Sequence, residues 1–197
     1  MIFLPPRHSK SEIGSIQFPA WLMGRNRDRN IIEASHTADL ATDFGRQTRN
    51  LVSSPEYQNI FPGVTLAEDS EAKGKWNTNG RGAYNAVGVG GSATGKGADV
   101  FIIDDPVKDR KSADSQVVRD STYSWYRSVV RTRLSPNGAI VVIETRWHDQ
   151  DLAGSILRDA KPGEWEIISL PAIAIEDEKH RKRGEALWPD FFHAADS

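Results

Sequence analysis

The chain contains no cysteine, which excludes disulfide frameworks and thiolate metal sites and suits a reducing cytoplasm. It lacks any apolar run long enough to span a bilayer, and prolines and charges interrupt its first residues before a signal-peptide core could form. It also lacks an excess of one charge, since 25 basic and 27 acidic residues leave a net charge of −2. That balance argues against a surface that coats nucleic acid, while leaving room for a local basic track. The basic clusters Arg25–Arg29 and Lys179–Arg183 are interrupted or flanked by acids and read as solvated surface. No internal repeat and no interdomain linker is visible. The 197 residues, 38% hydrophobic and 26% charged, suit one domain with a substantial core.

The segment Val100-Phe-Ile-Ile-Asp104-Asp105-Pro106 is an apolar run that ends abruptly in two carboxylates. Four consecutive β-branched or aromatic residues predict a buried strand. Its carboxyl end is where open α/β sheets place their ligands. Acids there are costly unless they are paired or hold a metal, and Mg²⁺ carrying nucleotide phosphates is one common occupant. This is the form of a Walker B strand; the plainer alternative is a strand ending in a solvated turn.

A Walker B strand predicts an earlier phosphate loop. Gly90-Gly-Ser-Ala-Thr-Gly95-Lys96-Gly97 comes near the consensus letters, but Gly97 has no hydroxyl for Mg²⁺ and a strand follows where a helix is needed. It reads as a decoy. Pro5-Pro-Arg7-His8-Ser9-Lys10-Ser11 lacks both consensus glycines, with Leu4 and Ser9 in their places, yet its context fits. Met1–Leu4 can end a strand, and a helix with Ile13 and Ile16 on one face can follow. Lys10 would reach the β- and γ-phosphates, Ser11 would ligate Mg²⁺, and the loop amides would cradle phosphate at the helix N-terminus.

Six short blocks occur in one order: Pro5-Pro-Arg-His-Ser-Lys-Ser-Glu12, Thr94-Gly-Lys-Gly-Ala-Asp99, Ile102-Ile-Asp-Asp-Pro106, Thr145-Arg-Trp-His148, Asp151-Leu-Ala-Gly154 and Gly184-Glu-Ala-Leu-Trp-Pro189. Together they resemble the ATPase domain of the large terminase subunit of tailed bacteriophages and prophages, over residues 4 to about 190. The resemblance implies a P-loop NTPase fold of the ASCE, RecA-like kind, a mostly parallel sheet flanked by helices. It implies hydrolysis of ATP with Mg²⁺ to drive double-stranded DNA into procapsids. The implied partners are DNA, a portal protein, a small terminase subunit and further copies in a ring, in the cytoplasm of a bacterial host.

Residue by residue, the resemblance assigns Pro6, Arg7, His8, Ser9, Lys10, Ser11 and Glu12 to the nucleotide loop, with Arg7 against the γ-phosphate. Relatives often have glycine where Ser9 stands, so weakened nucleotide binding is expected. Asp104 and Ser11 fall on the Mg²⁺ side. Asp105, where many relatives have glutamate, takes the role of base toward the attacking water. Thr145, delivered by the apolar run Ala139–Glu144, is the sensor of the γ-phosphate. His148 and Asp151 have ligand-like spacing but lack a third ligand, and Asp149 is expected to cap the next helix. Arg81, Arg127, Arg131 and Arg133 are candidates for an arginine acting on a neighbouring subunit.

The expected organisation is a motor domain over 1–175 and a peripheral tail over 176–197. The family's segment upstream of the loop and its downstream nuclease domain are expected to be missing, so no DNA cleavage is expected from this chain. Strands are predicted at Asn30–Ser35, Gly82–Val89, Asp99–Ile103, Ala139–Glu144 and Trp165–Leu170. Helices are predicted at Thr37–Val52, with Leu40, Phe44 and Leu51 on its apolar side, at Ala113–Arg133 and at Leu152–Arg158. The polar, glycine-rich stretch from Ser53 to Ala98 is expected to contain hairpin strands, and Trp76, Trp125 and Trp147 read as packing residues. Two other functions stay open: a degenerate remnant that binds without turnover, and a helicase-like ATPase.

Overall fold

A computed structural model describes residues 1–68, 70, 72–93 and 97–191. Thr94, Gly95 and Lys96 of the glycine-rich stretch lie outside the described residues. The apolar runs become strands of one sheet: β1 (Ile2–Phe3), β2 (Asn30–Ser35), β3 (Lys75–Asn77), β4 (Ala83–Gly88), β5 (Ala98–Asp104), β6 (Leu134–Glu144) and β7 (Ile168–Ser169). Their order across the sheet is β3-β4-β2-β5-β6-β1-β7. All neighbours are parallel except the β3–β4 hairpin. β6 therefore lies between β1, which leads into the candidate phosphate loop, and β5, which ends in the two aspartates.

Alternation along the strands sends apolar side chains to both faces, as a sheet covered on two sides requires. Ile31, Tyr84, Val100, Ile102 and Ile143 meet Ala20, Met23, Val52 and Tyr57. These come from α1 (Phe18–Arg25), α2 (Ala38–Val52) and α3 (Pro55–Ile60). On the other face, Ile32, Phe101, Ile103 and Val142 meet Trp125, Tyr126, Val130, Leu152 and Ile156. That layer is α4 (Arg110–Asp114), α5 (Gln116–Trp125) running through π-helical Tyr126–Val130 into α6 (Arg131–Arg133), and α7 (Leu152–Asp159). No helix among the described residues is long and apolar enough to cross a membrane.

Local chemistry explains the boundaries. The Thr37 hydroxyl accepts from the Leu40 amide at 3.2 Å and starts α2, whose buried line is Ala41, Phe44, Gly45, Thr48 and Val52. Leu40 and Leu51 are only half-buried. Helix α3 was not anticipated, although Ser54 accepts from the Tyr57 amide at 3.2 Å and Pro55 fills the first turn. The helix expected over Ala113–Arg133 is broken at Ser115, which is extended at ψ 115°. Strand β6 begins at Leu134 instead of Ala139: Ala98 pairs with Leu134 and Val100 with Ala139. The expected Ser135–Gly138 turn is thus a bulge inside the strand, with Asn137 at φ 65°. Past Pro171 the chain folds back, with Ile173 bridged to Ala186 and Ala174 buried.

Trp76 and Trp125 pack as expected, whereas Trp147 is only half-buried. Trp76 stacks on Tyr84 at 5.2 Å between centroids and donates its indole N–H to the Gly45 carbonyl at 3.0 Å. It ties the β3–β4 hairpin to α2. Trp76→Ala should therefore destabilise the protein by about 3–5 kcal/mol in urea unfolding; a loss below about 1 kcal/mol would show that the hairpin is not part of the core.

Candidate active site

Because β1, β5 and β6 are parallel, their carboxyl ends deliver the loop Leu4–Ser11, Asp104–Asp105 and Thr145–Arg146 to one edge of the sheet. In the loop, Arg7 and Ser9 adopt left-handed backbone at φ 62° and 58°. Such conformations cost a side-chain-bearing residue roughly 1–2 kcal/mol, which is why glycine is the usual occupant. Pro6 and Arg7 are exposed at the tip, and the buried His8 ring holds the Pro6 carbonyl through Nδ1 at 2.9 Å. The Ile13 amide donates to Ser9 O at 3.0 Å and opens a helix whose Glu12–Gln17 segment is π-helical before it continues as α1. Exposed Glu12 accepts from Gln17 at 3.2 Å. Gly14 lies directly on β6: a Cβ there would stand 2.3 Å from Ile143 Cδ1.

Three side chains expected from the sequence meet at this edge. Lys10 Nζ lies 2.7 Å from Asp105 Oδ2, and the lysine side chain is only 9% exposed. Asp105 is at φ 41°; its Oδ1 accepts from the Thr145 amide at 3.1 Å, and its carbonyl lies 3.2 Å from His36 Nδ1. The Thr145 hydroxyl donates to the Leu4 carbonyl at 3.2 Å. Thr145 thus touches both the second aspartate and the start of the candidate phosphate loop. A groove of about 340 Å³, lined in part by His36, Val89, Pro106 and Lys108, opens at the same edge.

Asp104 is buried, and its Oδ2 accepts from Ser15 Oγ at 2.8 Å. Burial raises its pKa from the usual aspartate value, and the Ser11 and Ser15 hydroxyls and the Lys10 ammonium pull it back. Its Oδ1 is buried without a hydrogen-bond partner. An orphaned carboxylate oxygen beside a serine fits a hard cation. Among the described residues no three His, Cys, Asp or Glu side chains cluster to hold a metal.

The block following β6 is built around Arg146. Its Nε lies 2.6 Å from Asp151 Oδ2 and 3.6 Å from Glu144 Oε1, and its guanidinium sits 5.0 Å over the Phe3 ring. Asp151, not Asp149, caps α7, accepting from the Gly154 amide at 3.0 Å. Asp149 loses that role because the chain turns once more, with the Asp151 amide donating to His148 O at 3.0 Å. His148 Nδ1 accepts from the Gln150 amide at 2.9 Å. Burial raises the pKa of Glu144 well above its usual value, with Asp151 adding to the rise and Arg146 opposing it. Arg81, Arg131 and Arg133 precede β4 and β6 and so lie at the amino edge of the sheet, opposite Lys10.

Sequence reasoning missed Ser15, Glu33 and Glu144 at this edge, and it did not pair Arg146 with Asp151. Glu33 had a signal, an acid inside the apolar run Ile31-Ile32-Glu33-Ala34. It is fully buried, neither carboxyl oxygen has a hydrogen-bond partner, and the Tyr84 hydroxyl is likewise unpartnered. Burial, then the charge of Asp104, raises the Glu33 pKa well above 4.5; the Ser15 hydroxyl opposes this, though short of hydrogen-bonding geometry.

The sheet order, with one strand between the loop strand and the aspartate strand, together with the loop-to-helix passage, defines a domain of the P-loop NTPase fold. Residues 1–193 match the family described as terminase large subunit, T4likevirus-type, N-terminal, and the chain belongs to it. Membership supports a role in phage DNA packaging. No curated protein matches the chain.

Two outcomes follow from the site's geometry. Ser9→Gly relieves the left-handed backbone and should raise stability in urea by up to about 1 kcal/mol, the gain being trimmed by glycine's freedom in the unfolded chain. A loss of stability would mean that the Ser9 side chain is needed in the loop. For Glu33, the folded state keeps its proton to higher pH than the unfolded chain, so the stability of the neutral form is complete below about 4.5 and is lost as pH rises. Glu33→Gln cannot ionise, and its stability advantage over the native protein should widen between pH 5 and pH 8 by up to about 1.4 kcal/mol per unit. An equal gap at both pH values would show that Glu33 is ionised in the folded protein.

Proposed function

We propose that the chain is the ATPase motor domain of a terminase large subunit, hydrolysing ATP with Mg²⁺ to drive double-stranded DNA into a procapsid. Its partners in that role are DNA, a portal protein, a small terminase subunit and further copies of itself in a ring, in the cytoplasm of a bacterial host. The observation that carries the reading is the 2.7 Å pair of Lys10 with Asp105, set beside buried Asp104 at the carboxyl edge of a parallel sheet. A lysine on the phosphate loop and an acid one residue past the metal-side aspartate are the two charges that γ-phosphate hydrolysis needs.

Lys10 exchanges Asp105 for the β- and γ-phosphate oxygens, and the amides from Arg7 to Glu12 surround the phosphates. Asp104 Oδ1 and the Ser11 hydroxyl are the groups that would hold Mg²⁺, which supplies charge neutralisation on the phosphates. Asp105, released by Lys10 but still held by the Thr145 amide, accepts a hydrogen bond and then a proton from water. The water oxygen bonds to the γ-phosphorus while the bridging P–O bond breaks toward ADP, giving ADP and phosphate. Thr145 carries the change outward, since its hydroxyl is fixed to Leu4 and Arg146 is fixed to the α7 cap. Arg7 is at the loop tip, where an extended guanidinium reaches the γ-phosphate.

Lys10→Ala should lower steady-state phosphate release at least about 100-fold. Asp105→Asn should keep nucleotide affinity within about threefold while stopping release. Unchanged turnover in Lys10→Ala would assign any observed ATPase to a contaminant, and unchanged turnover in Asp105→Asn would remove that residue from the chemistry.

A further inference from the structure

His36 holds one end of Asp105 without taking part in the proposed hydrolysis. Asp105 stands at φ 41° on left-handed backbone, although a residue before a proline is normally extended. A conformation so disfavoured persists only where its surroundings over-determine it. Four contacts do so here. The Asp105 amide donates to the Ile143 carbonyl at 2.9 Å, and Oδ1 accepts from the Thr145 amide at 3.1 Å. Oδ2 pairs with Lys10 at 2.7 Å, and the Asp105 carbonyl lies 3.2 Å from His36 Nδ1. The peptide joining Asp105 to Pro106 has no N–H, so that carbonyl is the one polar handle it offers. A carbonyl oxygen can only accept, so the ring nitrogen donates. The Ser35 hydroxyl, 3.5 Å from the same nitrogen, is the more distant neighbour.

The fold leaves this ring little freedom. Ser35 ends β2 in register with Asp104, which sets His36 beside Asp105. The Ser35 carbonyl accepts from the Val89 amide at 2.8 Å, and Thr37, on the other side of His36, caps α2. Of the other three holds on Asp105, Ile143 and Thr145 come from β6 and its end, and Lys10 leaves for phosphate in the proposed reaction. Among the described contacts, His36 is then the only hold reaching Asp105 from the β2 side of β5.

We infer that His36 is a positioning residue for Asp105: by donating from Nδ1 to its carbonyl, it fixes the backbone that aims the Asp105 carboxylate at the attacking water. The inference rests on the ATPase reading and adds to it a residue that acts only through Asp105. What His36 supplies is a hydrogen-bond donor attached to Cγ. Asparagine carries an amide N–H on the same atom, whereas leucine and alanine carry no donor.

The test is steady-state phosphate release across ATP concentrations for the native protein, His36→Asn, His36→Leu and His36→Ala, with Lys10→Ala as control and melting curves for each. His36→Leu and His36→Ala should lower kcat at least about tenfold while KM stays within about threefold. His36→Asn should keep kcat within about threefold. In two-dimensional proton–nitrogen NMR spectra, the histidine ring signals lost in His36→Asn should show a proton on Nδ1. Unchanged kcat in the leucine and alanine variants, an equal loss in His36→Asn, or a proton on Nε2 alone overturns the inference. So does a failure of both donor-free variants to fold, because His36 is then purely structural. Native turnover that is absent, or that survives Lys10→Ala, overturns the ATPase reading itself and the inference with it.

Discussion

The burial of Asp104 is the constraint on which the rest of the site depends. A carboxylate removed from water loses several kcal/mol of solvation unless donors or cations replace the water. Here one oxygen receives the Ser15 hydroxyl and the other receives nothing from the protein. To bring Ser15 to it, the helix after the loop must lie flat on β5 and β6, and that approach requires the missing side chain at Gly14. The same helix placement aims Lys10 at Asp105. Loop geometry, helix packing and charge pairing are therefore one problem solved together, with the left-handed backbone at Arg7 and Ser9 as its local cost.

Thr145 and Arg146 join parts of the chain that are distant in sequence. Thr145 spans from Asp105 to Leu4, and Arg146 spans from Phe3 and Glu144 to Asp151. Both leave from the end of β6, the strand interposed between β1 and β5. A displacement of the loop or of the second aspartate therefore meets the same two residues, and through Asp151 the N-terminus of α7. Coupling of this kind needs a contiguous set of contacts, and each contact here is a hydrogen bond, an ion pair or a cation over a ring.

The central strands were legible because full burial writes itself as continuous apolar runs: Val100–Ile103 and Ile140–Ile143 could hardly be anything else. The loop–lysine–aspartate set was legible because its chemistry demands those residue types at the ends of such runs. Short elements were harder. Helix α3 is one and a half turns, too short for periodicity to show, and only its Ser54-Pro55 start marked it. The bulge in β6 hid five residues of strand behind what the letters present as a turn. Asp149 and Asp151 are both good caps in isolation, and the extra turn closed by the Asp151 amide on the His148 carbonyl decides between them. Ser15 was invisible as the partner of Asp104 because 89 residues separate two side chains that meet only once the sheet has formed.

The π-helical turn at Glu12–Gln17 has a geometric meaning of its own. Such a turn is an α-helix with one residue added, and one residue amounts to about 100° of rotation about the axis. Lys10 and Ser11 lie on one side of the turn, and Pro19, Ala20 and Met23, fixed in the core, lie on the other. The azimuth of the end that carries Lys10 and Ser11 is therefore not inherited from the packing of α1. It is a separate angular setting, latched by Ser15 at the middle of the turn, so the protein aims its loop from the buried side of the helix.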